Sequence, residues 1–259
     1  MEEFIKEITK KAGKAILEKY GQIGVKYTKS NIGDVVTEAD LIANRIIVGD
    51  IKEKYPGHGI ISEEEKEHPG EEYIWIIDPL DGTRNFATHT PIFGVMVALA
   101  KEKEIILATI YDPINDDLFF AKKGLGAFRN DQTIHCSQTK EWTHSFGCAS
   151  GNLRPNNIPF MAHLVEVARK EPVMYSSFLC AAAHAFYVAD GRRDWYFSAG
   201  GYAWDYAASS LIMSEAGCKV TDLEGKPWSV EGRSILAANQ YLYPRLLELA
   251  QRAYEKEKK

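Results

Sequence analysis

Trp75-Ile76-Ile77-Asp78-Pro79-Leu80-Asp81-Gly82-Thr83 carries the densest signal in the chain. An apolar run ends in Asp78, and Pro79, which has no N–H to donate, is expected to turn the chain out of a strand ladder. Asp81 follows three residues after Asp78, and Gly82-Thr83 then opens a short helix. Such a turn aims two carboxylates and the Leu80 carbonyl at one point, while the exposed amides of Gly82 and Thr83 can receive an anion. Hard oxygen donors of this kind suit magnesium, which commonly bridges carboxylates and a substrate phosphate. A D-P-x-D-G string is also a common solvated turn, so the reading depends on what else reaches the same end.

Three segments supply more acids. Ile61-Ser62-Glu63-Glu64 reads as a second strand stopping at carboxylates. Trp204-Asp205 opens an Ala-rich helix, with Asp205 either its N-cap or a first-turn residue facing the site. Asp34-Val35-Val36-Thr37-Glu38-Ala39-Asp40 precedes another helix and supplies Asp40. Capping would explain Asp34 or Asp205 singly, but not the whole set.

Around these segments the hydrophobic period alternates. Phe4, Ile8, Ala12, Ala15, Ile16 and Tyr20 recur at helical spacing, and a second helix is predicted from about Glu38 to Tyr55, closed by Pro56-Gly57. Between Phe93 and Ile134 the segments FGVMVALA, IILATIY, LFFA and GAFRNDQTI read as a β-meander. Helices are then predicted at 157–169, 178–190, 203–216 and 241–256, with strands near 145–149, 194–198, 217–221 and 233–237. Strands in the middle with helices on both sides make a layered α/β protein. No linker composition interrupts the chain, so residues 1–259 read as one domain with two subdomains, about 1–145 and 146–259, sharing an interface.

Composition narrows the function classes. Of 259 residues, 45% are hydrophobic and 26% charged, an ordinary globular balance. The 36 acids against 31 bases give a net charge of -5, which disfavours nucleic acid as a main partner. The apolar window Phe178 to Ala189 is too short for a membrane span, which takes about 20 residues. The start, MEEFIKEITKK, has no signal-peptide core, so a cytoplasmic protein is expected. Cys136, Cys148, Cys180 and Cys218 form no C-x-x-C pattern and the seven histidines no H-E-x-x-H, so the cysteines read as reduced thiols and any metal as oxygen-bound.

Taken together, Gly33 to Asp40, Glu63-Glu64, Trp75 to Phe86 and Trp204 to Ala208 resemble the ordered motifs of the inositol monophosphatase family, within the lithium-sensitive, magnesium-dependent phosphatase superfamily. Lesser echoes stand at Lys122 to Phe128 and Ser214 to Gly217. The resemblance implies an αβαβα sandwich of the sugar-phosphatase type, a homodimer, and two or three Mg2+ ions. It makes Glu63, Asp78 and the Leu80 carbonyl ligands of a first ion, and Asp78, Asp81 and Asp205 ligands of a second. A third, weaker ion would sit near Glu63. Thr83 and Asp40 would orient and deprotonate the attacking water, and the Gly82 and Thr83 amides would hold phosphate.

The same resemblance weakens on the substrate side. Where inositol phosphatases carry an acid seven positions before the final aspartate, this chain has Ser198. The family's R-x-x-G-[ST]-A-A segment reads Ser176-Ser177-Phe178-Leu179-Cys180-Ala181-Ala182 here, without the arginine and glycine. Arg84, His89 and Arg192-Arg193 are basic candidates for contacts to a different ester. A small phosphate monoester is therefore the expected substrate, inositol monophosphate first. Histidinol phosphate, fructose 1,6-bisphosphate and 3′-phosphoadenosine 5′-phosphate are the alternatives. A catalytically inactive scaffold is remote, because every metal carboxylate and the threonine are present.

Overall fold

The computed structural model describes residues 1–22, 25–28, 35–70, 72–150 and 154–255, so Gly33 and Asp34 of the first motif lie outside the described residues. Helix α1 (Glu2–Leu17) is followed by the antiparallel pair β1 (Val25–Thr28) and β2 (Val35–Thr37), which leads into α2 (Glu38–Lys54). Strands β3 (Gly59–Ser62), β4 (Glu65–His68) and β5 (Tyr73–Asp81) precede a one-turn helix, α3 (Thr83–Ala87). The meander is β6 (Gly94–Lys101), β7 (Glu104–Asp112), β8 (Asp117–Lys122), β9 (Gly126–Arg129) and β10 (Gln132–Ile134). The second half runs β11 (Phe146–Ala149), α4 (Ile158–Ala168), β12 (Met174–Ser176), α5 (Ala181–Ala189), β13 (Trp195–Ala199), α6 (Ala203–Glu215), β14 (Lys219–Thr221), β15 (Ser234–Ala238) and α7 (Tyr243–Glu255).

Two sheets result, one of eight strands in the order β10-β9-β8-β7-β6-β5-β3-β4 and one of five in the order β12-β11-β13-β15-β14. Strand alternation explains how they stack. In the large sheet Trp75, Ile77, Val95, Val97 and Leu99 face α1 and α2, burying Phe4, Ile8, Ala43 and Ile47. The residues between them, Ile76, Met96, Ala98 and Ala100, face α5 and α6. From the small sheet Cys148, Tyr196, Ile235 and Ala237 meet the same two helices. Its other face, Trp195, Phe197, Leu236 and Ala238, packs on α4 and α7. The layers are helix, sheet, helix, sheet, helix. This is the αβαβα arrangement expected from the motifs.

The sequence also misjudged details. Pro79 does not end its strand: β5 runs on to Asp81. Asp78 pairs with Met96 and Asp81 with Gly94, so Pro79 and Leu80 together oppose Val95, and the proline sits in the resulting bulge. GAFRNDQTI is a hairpin, β9 and β10, turned at Asn130 and Asp131, both left-handed (φ 48 and 63). The two lesser echoes meet each other, since the amides of Gly124 and Gly126 each donate to the Glu215 carboxylate at 2.8 Å. That contact ties the β8–β9 turn to the end of α6. Among the described residues no helix is long and apolar enough to cross a membrane.

Candidate active site

The middle helical layer and the bulged end of β5 define the site. Asp78 lies one residue beyond Ile77 on the α5/α6 face of the sheet, and the bulge brings Asp81 round beside it. Asp205 enters from the first turn of α6, where its Oδ2 accepts the Tyr202 amide at 2.6 Å. It is thus both a helix-start acceptor and a site residue. One carboxylate oxygen from each of Asp78, Asp81 and Asp205 lies within 4.8 Å of the others.

Few donors offset these charges. The Leu80 amide donates to Asp78 Oδ1 at 3.1 Å. Burial, and then repulsion from Glu63, Asp81, Asp205 and Asp40, pushes the Asp78 carboxyl well above the usual range. Asp81 is also raised by burial. Against this, the Cys180 thiol donates to its Oδ2 at 2.9 Å and the Ala182 amide at 2.6 Å. Asp205 is lifted by desolvation to about 7, although the Tyr202 amide and the more distant Arg154 and Arg233 favour its charged form. Clustered carboxylates of this kind call for cations in the gap. The trio is all oxygen, which fits a hard divalent ion.

Around the trio, Asp40 and Thr83 meet from different elements. Asp40 is the third residue of α2, and its Oδ2 accepts both the amide (2.8 Å) and the hydroxyl (2.6 Å) of the N-cap Thr37. Its Oδ1 stands 2.9 Å from the Thr83 hydroxyl, which is equally close to the Leu80 carbonyl. Burial lifts Asp40 to about 6 against those hydrogen bonds. Glu63 follows β3 and donates its amide to the Ile77 carbonyl at 3.3 Å; it lies near enough to raise Asp78 but outside the trio. Gly82 is left-handed (φ 85), and a Cβ there would stand 2.9 Å from the Ile92 carbonyl oxygen, so only glycine fits the step from strand to α3. Its amide is turned toward the Asp81 carboxylate.

The substrate-side residues are dispersed. Ser198 is buried on β13, and its hydroxyl lies 2.8 Å from that of Tyr206. Arg192 pairs with Asp190 at 2.5 Å, and Arg193 lies over the Phe146 ring at 3.7 Å while donating to Ser176. His89 is exposed beside Tyr20, and Arg84 is exposed on α3. Sequence reasoning overlooked Cys180 as a partner of Asp81. Its place in the family's [ST] position is visible in the sequence, but that it bonds the Asp81 carboxylate needed the fold. It also overlooked Arg154 and Arg233, which no motif marks.

A bulged strand end and the start of α6 gather three carboxylates between two sheets, with Asp40 nearby at the start of α2, an arrangement that suits metal-assisted hydrolysis. The inositol monophosphatase family model matches residues 1–255, and the chain belongs to that family. It is 33% identical to an inositol-1-monophosphatase of Mesorhizobium japonicum, covering 92% of this chain and 91% of that protein. It is 35% identical to the Nus factor SuhB of Haemophilus influenzae, covering 88% and 87%. The crystal structure of the extragenic suppressor protein suhB from Bartonella henselae superposes with a TM-score of 0.90 at 32% identity, covering 96% of this chain and 98% of that one.

Proposed function

We propose that this phosphatase hydrolyses a small phosphate monoester with magnesium, inositol monophosphate being the first substrate to try. The observation that carries the reading is the convergence of Asp78, Asp81 and Asp205 to within 4.8 Å, beside the Thr83–Asp40 contact. Relatives named inositol-1-monophosphatase support the substrate class. Asp78, Asp81 and Asp205, with Glu63 and the Leu80 carbonyl, would hold two or three ions. When bound, magnesium supplies the positive charge that stabilises attacking and leaving oxygens in an in-line displacement.

The chain's own groups do the rest. Thr83 donates its hydroxyl proton to Asp40 Oδ1, which leaves its oxygen lone pairs free to accept from a water and orient it. Asp40, raised to about 6, is deprotonated at neutral pH and close enough to that range to take a proton through Thr83. The Thr83 amide is the first candidate phosphate contact, and the Gly82 amide, which here faces the Asp81 carboxylate, the second. Phosphate release from inositol 1-phosphate and glycerol 2-phosphate, titrated with magnesium, tests this reading. Activity that survives exhaustive chelation would overturn it. Four buried free cysteines suit a reducing compartment and support a cytoplasmic enzyme. Pairing into a homodimer, drawn from the family, is measured by light scattering.

A further inference from the structure

Glu63, the candidate ligand that stands outside the carboxylate trio, belongs to the tip of a hairpin. Ser62 of β3 pairs with Glu65 of β4, which leaves Glu63 and Glu64 as a two-residue turn. Such a tip aims a side chain only if both of its flanks are anchored. One anchor is the sheet, where Ser62 is in register with Ile77 and the Glu63 amide donates to the Ile77 carbonyl at 3.3 Å. The other is Asn44 of α2.

Asn44 holds both flanks of the turn. Its Oδ1 accepts the Ser62 hydroxyl at 2.7 Å, and its Nδ2 donates to Glu65 Oε2 at a longer 3.4 Å. Asn44 is 7% exposed and Ser62 4%, so the shorter bond lies out of water, where breaking it strands a polar group. On the far side, Glu65 Oε1 accepts from the Lys52 ammonium at 2.7 Å and lies 2.6 Å from His68 Nε2. Lys52 is also part of α2, so the whole hairpin is tied to that helix.

The spacing along α2 gives this tie its use. Asp40 and Asn44 are four residues apart, on successive turns of one face and about 6 Å along the axis. Asp40 meets the Thr83 hydroxyl, and Asn44 meets the flanks of the Glu63 turn. One helix therefore sets the distance between the pair that would orient water and a carboxylate that would hold a cation.

We propose that Asn44 is a positioning residue: by clamping Ser62 and Glu65 it holds Glu63 where its carboxylate can join Asp78 in binding magnesium. This rests on the phosphatase reading and deepens it. Asn44 acts only through Glu63 and is given no contact with substrate. An amide suits the position, because it accepts from the serine and donates to the glutamate at once, and it adds no negative charge to a crowded end of the sheet.

The test is magnesium binding measured by titration calorimetry without substrate. The proteins compared are wild type, Asn44→Leu, Ser62→Ala, Glu63→Gln, and the double variant carrying Asn44→Leu and Glu63→Gln. Loss of a partner that orients a ligand costs about 10–100-fold in metal affinity, so Asn44→Leu should weaken binding by about tenfold or more. Ser62→Ala removes the same bond from its other end and should act in the same direction. In the Glu63→Gln background Asn44→Leu should change nothing further, a non-additivity that general loosening of the fold would not give. Wild-type affinity in Asn44→Leu, or an equal loss with and without the Glu63 carboxylate, overturns the inference. Should Asn44→Leu fail to fold, undiminished binding by Ser62→Ala overturns it instead. A wild type that binds magnesium yet releases phosphate from no ester would sink the phosphatase reading, and the binding data would still decide the role of Asn44.

Discussion

Two groups of buried acids in this molecule are treated in opposite ways. At the β7–β8 turn Asp112 accepts from the amides of Ile114 and Asn115 and from the Asn115 side chain. Asp117 accepts from Arg129 at 2.5 Å and Asn130 at 2.7 Å. Each carboxylate there is met by donors, and the result is a turn held in shape. At the end of β5 the acids are set against one another, and Asp78 has a single amide donor at 3.1 Å. Buried like charges held this close are costly even where single donors meet them. On the proposed function such a cluster gives up stability for a cation site, whereas the Asp112–Asp117 group is ordinary architecture.

The largest effect that can break this contrast is at Asp78. Asp78→Asn should lower turnover on the order of 10⁴-fold, since it withdraws the most central carboxylate from several kcal/mol of cation-mediated charge stabilisation. In metal-free buffer the same variant should melt a few degrees higher, because about 1 kcal/mol of relieved repulsion is worth roughly 2–4 °C in a chain of this size. Near-normal turnover at modest magnesium, or a lower melting point without metal, would remove Asp78 from the role assigned to it.

Thr83→Ala comes next. It should cost about 10²–10³ in turnover with little change in KM, as for the loss of positioned proton-transfer help. Steady-state kinetics on glycerol 2-phosphate separates the two parameters, and a raised KM at unchanged kcat would move Thr83 to ground-state binding.

Asp117→Asn probes the other group. Turnover should stay close to wild type while stability falls by about 1–3 kcal/mol, because Arg129 loses the nearer of its two charged partners, Asp190 standing farther off at 3.7 Å. Urea melts and initial rates on the same preparation decide it, and a variant that keeps its stability but loses activity would reverse the assignment.

The last effect, small near neutral pH and growing only in acid, concerns His184, buried in α5, where Nε2 accepts the Phe178 amide at 2.9 Å and burial lowers its pKa to about 3. The folded protein therefore holds this ring neutral, whereas the unfolded chain protonates it below about 6.5. Its contribution to stability is full above that pH and is lost as pH falls from about 6.5 toward 3, at up to about 1.4 kcal/mol per pH unit. Relative to His184→Gln, the wild type should weaken progressively across that window in urea melts. Parallel curves would show that the ring is not held neutral.

Much of the architecture could be read because its periods are long and regular. The spacing of Phe4, Ile8, Ala12 and Ile16 admits only a helix, and the meander from Gly94 onward is a series of apolar runs too short for helices, with β6 buried along all but its last residue. What escaped was short or polar. Strand β4 is Glu65–His68, charged along its length, and β12 is Met174–Ser176 with its first two residues exposed, so neither carries an apolar signal. The apolar window from Phe178 predicts a start of α5 at 178. Leu179 instead adopts the left-handed region (φ 52), and Cys180 caps the helix, so the first helical residue is Ala181. At the site the acids announced themselves through the strand and helix boundaries they occupy. The thiol facing Asp81 and the arginines near Asp205 come from distant segments, and only folding brings them there.

The bulged strand end and α6 supply the carboxylate cluster and the cap of α5 a donor to one of its members, so no single layer holds the whole site. Catalytic output is therefore a gauge of how the helical layer sits between the sheets. A shift of about 1 Å between reacting groups can cost 10²-fold in rate, so slippage too slight to melt a helix should silence the enzyme. In graded urea, activity should decline at lower concentration than ellipticity at 222 nm, and coincident curves would mean that the layers part only when the whole chain unfolds.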